Sequence, residues 1–157
     1  MSSCVKGTNL FYEAIAHCRW KKVLYNILKD IDISIKNDYF QNKTFENIIL
    51  EIYNICVNIK GLGMLTVYDI TAAICRYYKI NIDKVFIIGN GPKRAVKLLN
   101  IKTKHYKIDN KINLNYVDID DIIKAFDENN FELSADIRNC KNGDTFESFI
   151  CNWQKNY

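Results

Sequence analysis

Three observations predict an all-α fold. Apolar residues recur at three- and four-residue steps through most of the chain. Two glycine turns, Gly61-Leu62-Gly63 and Gly89-Asn90-Gly91-Pro92, separate helical patterns rather than strand patterns. No low-complexity tract or linker divides the sequence, and 157 residues suffice for one hydrophobic core. The expectation is a compact bundle of about seven mostly short helices in one globular domain over residues 1–157, with a short β or extended segment admitted near 103–116.

Each element has its own signature. Thr8 can cap a first helix of roughly twenty residues whose stripe is Leu10, Phe11, Ile15, Cys18, Leu24, Ile27 and Leu28, widened by Trp20 and Tyr25. Ile31, Ile33 and Ile35 then alternate with Asp32, Ser34 and Lys36, a two-residue period that suits a short strand or an extended connector. After the polar loop 37–43, Thr44 caps a helix that buries Ile48, Ile49, Ile52, Ile55, Cys56 and Ile59. The following helix begins just past Gly63 and presents Val67, Ile70, Ile74 and Tyr77, while Thr66 and Asp69 fit a capping box. Asn81 and Asp83 are cap residues for the short apolar segment 85–88. Pro92 at a first helical position starts another helix, packed by Val96, Leu98, Leu99 and Ile101. Residues 103–116 show little helical period. Asp118 with Asp121 caps a helix that runs to Asp127 and stops at Asn129 and Asn130. Gly143 breaks the chain, and Asp144 with Glu147 caps a final helix that buries Phe146, Phe149, Ile150 and Trp153.

Composition removes several classes. No apolar run approaches the ~18 residues of a membrane span, and no basic segment followed by an apolar one marks a secretory signal. The expected place is intracellular, in the cytoplasm or with the nucleoid or nucleus, without membrane contact. Six cysteines fall mostly inside apolar helical patterns and read as reduced, buried thiols. No CxxC pair exists, and His17 and His105 belong to no ligand spacing, so neither a metal nor a cofactor is expected. The net charge is only +4, but it is segregated. Seven Lys/Arg stand against Asp109 over residues 93–111, and seven acids against Lys124 over 118–136, which suits a basic binding face with an acidic segment elsewhere. The 24 Ile and 19 Asn beside one Pro indicate AT-rich coding DNA.

The glycine turns carry the candidate chemistry. Glycines let the chain reverse through positive φ and leave backbone N–H groups free at a helix start, where an anion can sit. Amides around Leu62, Gly63 and Met64, with the charge of Lys60, form such a site next to Gly61. Gly91, Lys93, Arg94 and Lys97 form a second one as a loose echo of the first. Neither the spacing nor the terminal Ser/Thr of a nucleotide-hydrolase phosphate loop is present there. Phosphate contacts fix position on a nucleic-acid backbone and carry no sequence information directly.

Ile59, Gly61, Leu62, Gly63, Val67, Ile70 and Ile74 fill the pattern of the helix-hairpin-helix motif of DNA repair and replication proteins, which this chain resembles, with a core over about residues 44–101. The family often has Pro where Lys60 stands and Ala where Val67 stands. The stretch 45–83 also resembles the base-excision DNA glycosylases of that superfamily, which implies a catalytic aspartate at Asp83, twenty residues after Gly63, opening the following helix. Leu65 occupies the place of the Schiff-base lysine of bifunctional members, so the lyase step is not implied. A third likeness, through Tyr68-Asp69 and Gly91 to Arg94, is to small uncharacterised proteins with the same hairpin.

Taken together, the expected function is binding of nucleic-acid backbone, DNA before RNA, with little sequence specificity and no catalysis. The alternatives are a monofunctional glycosylase-like enzyme using Asp83, and a structural or protein-interaction module of viral or bacterial origin.

Overall fold

A computed structural model describes residues 10–157. Thr8 and Cys4 lie outside the described residues. Eight α-helices and a three-stranded antiparallel sheet make up these residues, with helices covering 59% and strands 10%. This is an α+β mixture, and it overturns the all-α expectation. The chain divides into two compact units, Met1–Ile80 and Asn81–Tyr157.

The first unit holds α1 (Tyr12–His17), α2 (Lys21–Lys36), α3 (Phe45–Cys56) and α4 (Met64–Tyr78). Helix α4 is its centre: all ten residues over 66–75 are buried, and both α1 and α3 pack against it. The single helix expected over the first thirty residues is instead two. Cys18 leaves helical conformation with ψ 126°, and the Trp20 amide donates to Cys18 Sγ at 3.3 Å. The alternating isoleucines are helical, not extended. Ile31 and Ile35 stand four apart and continue the buried stripe of Leu24 and Leu28, whereas Ile33 is 56% exposed. Thr44 caps α3 through a full box, accepting from the Asn47 amide while Asn47 Oδ1 accepts from the Thr44 amide, both at 3.3 Å. At its far end α4 stops on Lys79 in the left-handed region, and the Ile80 amide returns to the Cys75 carbonyl at 2.8 Å.

The second unit runs β1 (Lys84–Phe86), α5 (Asn90–Leu98), β2 (Lys104–Ile108), β3 (Ile112–Asp118), α6 (Ile119–Glu128), α7 (Ala135–Asn139) and α8 (Gly143–Trp153), with a closing 3-10 turn at Gln154–Asn156. The sheet order is β1-β3-β2. Val85 pairs with Val117, and Tyr106 with Leu114. The extended segment admitted near 103–116 is the hairpin β2–β3. In β3, Ile112 and Leu114 are buried while Asn113 and Asn115 are exposed, the two-residue period of a strand with one covered face. Asp109 and Asn110 both take positive φ and reverse the chain, and the Lys111 amide closes the turn on the Ile108 carbonyl at 3.1 Å. The core joins Val85, Ile87, Val117, Ile122, Phe126 and Phe146 to α5 and α8. Trp153 stacks into it against Phe126 and Phe131. The final helix is capped by Asn142, whose side chain accepts from the Thr145 amide at 3.1 Å, rather than by Asp144, which is buried.

The helical assignment of 31–35 makes a testable difference. Ile31→Ala and Ile35→Ala should each cost about 2–5 kcal/mol of stability. Ile33→Ala should be within about 0.5 kcal/mol of neutral, or stabilising, because Ala is the better helix former at an exposed site. Urea denaturation followed by circular dichroism separates the cases. A large loss in Ile33→Ala would contradict a helix here.

Candidate nucleic-acid interface

The turn between α3 and α4 is built from backbone upward. After Cys56 the Ile59 amide returns to the Cys56 carbonyl at 3.0 Å, and the Leu62 amide to the Ile59 carbonyl at 3.2 Å. The Leu62 side chain is buried, which pins the reversal. Gly61 lies at φ 92°, a conformation open to glycine and costly for residues with a Cβ. A second constraint acts at the same atom. A Cβ built on Gly61 would stand 1.8 Å from Trp20 Cδ1 and 1.9 Å from Trp20 Nε1, so the indole occupies the space a side chain would need.

Gly63 behaves differently. It is the extended N-cap of α4, exposed, and nothing lies within 4 Å of the place of a Cβ. No side chain caps this 15-residue helix. Its first intrahelical bond is Val67 N–H to the Gly63 carbonyl at 3.1 Å, so the amides of Met64 and Leu65, both half-buried, precede the ladder. The partial positive charge of a helix start faces outward there. Lys60 is exposed and has no ion-pair partner among the described residues. Of the expected donors, the Leu62 amide is already spent inside the turn, which leaves Gly63 and Met64.

The second glycine turn belongs to the other unit. Gly89 is the N-cap of α5, again without a side-chain cap. A Cβ on Gly91 would meet Cys151 Sγ at 2.4 Å. Glycine at 91 is therefore explained by the close approach of α8. Lys93, Arg94 and Lys97 are exposed on α5 and carry no ion pair among the described residues. The charge segregation of the sequence does not survive folding intact. Lys104 Nζ pairs with Asp118 and, at 3.2 Å, with Asp121, so the hairpin brings part of the basic segment onto the acidic one. These carboxylates hold the Lys104 ammonium well above its ordinary range. Lys104 and Asp121 also line an open groove of about 300 Å³ with Lys102, Lys124 and Glu128, whose mixed charge suits no single ligand sign.

Asp83 does not open a helix. It precedes strand β1, its side chain is 74% exposed, and its carboxylate meets Lys84 at 3.0 Å. That placement lends no support to a glycosylase-like role. Among the described residues no cluster of three or more His, Cys, Asp or Glu could hold a metal ion, and no helix is long and apolar enough to cross a membrane.

Two features were missed by sequence reasoning. Arg19 and Trp20, read there with Lys21 and Lys22 as part of a continuous helix, lie at the break before α2, which the two lysines open, and Trp20 reaches the glycine turn. The signal was four basic or aromatic residues in a row with no acid nearby. The second is a hydrogen bond from the His17 ring at Nδ1 to Asp69 Oδ2, 2.9 Å, spanning α1 and α4. Asp69 is only 6% exposed, and His17 about half exposed. It faces Glu13 and Arg76 as well, which pair with each other at 3.4 Å. The capping role expected of Asp69 is therefore replaced by a tertiary one. Burial pushes its carboxyl up to about 6, and the His17 hydrogen bond pulls against that rise.

By architecture the chain combines a helical unit with an α+β unit. No protein-family model, no curated protein and no solved structure matches it.

The two glycines of the first turn should respond differently to substitution. Gly61→Ala must adopt positive φ and displace Trp20, at a cost of about 2 kcal/mol or more. Gly63→Ala should cost under about 1 kcal/mol, the difference between Gly and Ala at an N-cap. Equal losses in thermal denaturation would contradict the geometry. Asp69 predicts a pH dependence. Folded Asp69 holds its proton more tightly than the unfolded chain, whose carboxyl titrates near 3.8. Its contribution to stability is therefore fully present below about pH 4 and lost as pH rises through about 6, by of order 3 kcal/mol. Asp69→Asn cannot ionise, so the parent Tm should fall relative to the variant between pH 4 and 7. Parallel Tm curves would refute this.

Proposed function

We propose that this chain binds the sugar–phosphate backbone of nucleic acid, DNA before RNA, through the turn between α3 and α4, in the manner of a helix-hairpin-helix. Sequence preference is weak and no reaction is catalysed. The single observation that supports this reading is the exposed, uncapped start of α4 at Gly63, with exposed Lys60, which has no ion pair among the described residues, three positions before it. Helix-start amides and a cation together suit a phosphate oxygen. The cations of α5, Lys93, Arg94 and Lys97, provide a second backbone contact on the other unit. We further propose an intracellular setting, in the cytoplasm or with the nucleoid or nucleus. Its support is that Cys18 and Cys56 are free and buried, and that burial pushes the Cys56 thiol up to about 11, which disfavours the thiolate needed for disulfide exchange.

Fluorescence anisotropy on labelled DNA over a salt series tests the binding. Affinity should fall steeply with salt through counterion release. Lys60→Ala should lower the logarithmic salt slope by about 1, and Lys93→Ala with Arg94→Ala by about 2, with little dependence on base sequence. Absence of binding to DNA and RNA at low salt overturns the reading and leaves the turn as a structural joint between core helices.

A further inference from the structure

We infer that the ligand of the Gly61 turn is single-stranded nucleic acid, and that Trp20 stacks against one of its bases. This rests on the backbone-binding reading above and adds the strandedness and the contact that decides it. Trp20 remains 47% exposed although its indole lies on Gly61. Its indole N–H has no acceptor among the described residues. Arg19, Lys21 and Lys22 flank it, all exposed and without ion pairs among the described residues, and Lys60 adjoins the glycine it covers. The two segments that meet here are free of acids: none stands between Glu13 and Asp30, nor between Glu51 and Asp69. Lys21 and Lys22 lie in the first turn of α2, which holds no acidic residue and where the helix dipole disfavours cations. An aromatic plane on a turn, flanked in the chain by exposed cations without ion pairs among the described residues, is complementary to a base with its phosphates. In a duplex both faces of a base are covered by its neighbours, so the ring finds a partner only in an unstacked strand. The other tryptophan does not compete, because Trp153 is packed among Phe126, Phe131 and Tyr157.

Titration of the full chain with oligothymidine and oligouridine, and with a DNA duplex of equal length, tests this through tryptophan emission and anisotropy. Single strands should quench the emission and bind more tightly than the duplex. Trp20→Ala should weaken single-strand binding roughly ten- to a hundredfold and leave duplex binding nearly unchanged. Trp20→Phe, which keeps a stacking ring and guards against misfolding of the alanine variant, should restore most of the affinity. Preference for the uridine strand would identify RNA as the source of the ligand, and equal or better thymidine binding would identify DNA. Duplex binding as tight as single-strand binding, or single-strand binding without quenching, overturns the inference while the backbone-binding reading stands. No binding to any of the three overturns both.

Discussion

The contact between Trp20 and the bare Cα of Gly61 constrains the first unit more than any other single interaction. It requires glycine at position 61 twice over, once for φ 92° and once for space. It also requires the chain to leave helical conformation before Trp20. Cys18 is buried and turns the backbone out of α1, and Trp20 then stands as the N-cap of α2 with its ring on the turn. A continuous helix through Cys18 and Trp20 would carry the backbone past the conformation that seats the indole on the turn. Both glycines of the turn are exposed, but only at Gly63 is the place of a side chain open.

Helix α4 is the other half of this arrangement. A helix buried over ten consecutive residues must satisfy its polar side chains internally. Thr71 does so by donating to the Val67 carbonyl at 2.8 Å, and Asp69 by its hydrogen bond with His17 Nδ1. The second solution is expensive, because a carboxylate in so buried a place resists ionisation. It does fix the short helix α1, six residues long and without a side-chain cap, against α4. Breaking that link at either partner would loosen the helix that leads into the Trp20 break. The buried pair and the exposed turn thus belong to one chain of dependence.

The sequence made the helices legible wherever the apolar stripe was both long and bounded, as between Thr44 and Cys56. It was misleading where two periods coincide. Ile31, Ile33 and Ile35 satisfy the two-residue rule of a strand, yet two of the three also satisfy the four-residue rule of the helix that precedes them, and that longer stripe from Leu24 wins. The break at Cys18 was invisible for the opposite reason: apolar residues continue through it at acceptable spacing. Strand β1, at three residues, is too short to show a period, and only its pairing with β3 makes it a strand. Charge along the chain was the least transferable signal. Lys104 and Asp118 sit fourteen positions apart in blocks of opposite sign, and the hairpin turn at Asp109 and Asn110 places them side by side.

Charge is distributed unevenly over the helix starts. Helix α6 has Asp120 and Asp121 in its first turn, and α8 has Asp144, as the macrodipole favours. Helices α2, α4 and α5 have no acid in theirs, and none of the three has a side-chain cap. At α2 the first turn holds Lys21 and Lys22 instead, with Arg19 just before the cap, and Lys60 precedes the start of α4. Each misplaced cation costs about 0.3–1 kcal/mol at an exposed helix start. A chain that follows the rule at α6 and α8 is able to follow it elsewhere. Departure from it at two helix starts joined through one tryptophan–glycine contact is the kind of local conflict that folding alone does not reward. An anion bound between them would offset those costs, since it would meet helix-start amides and cations that have no ion pair among the described residues.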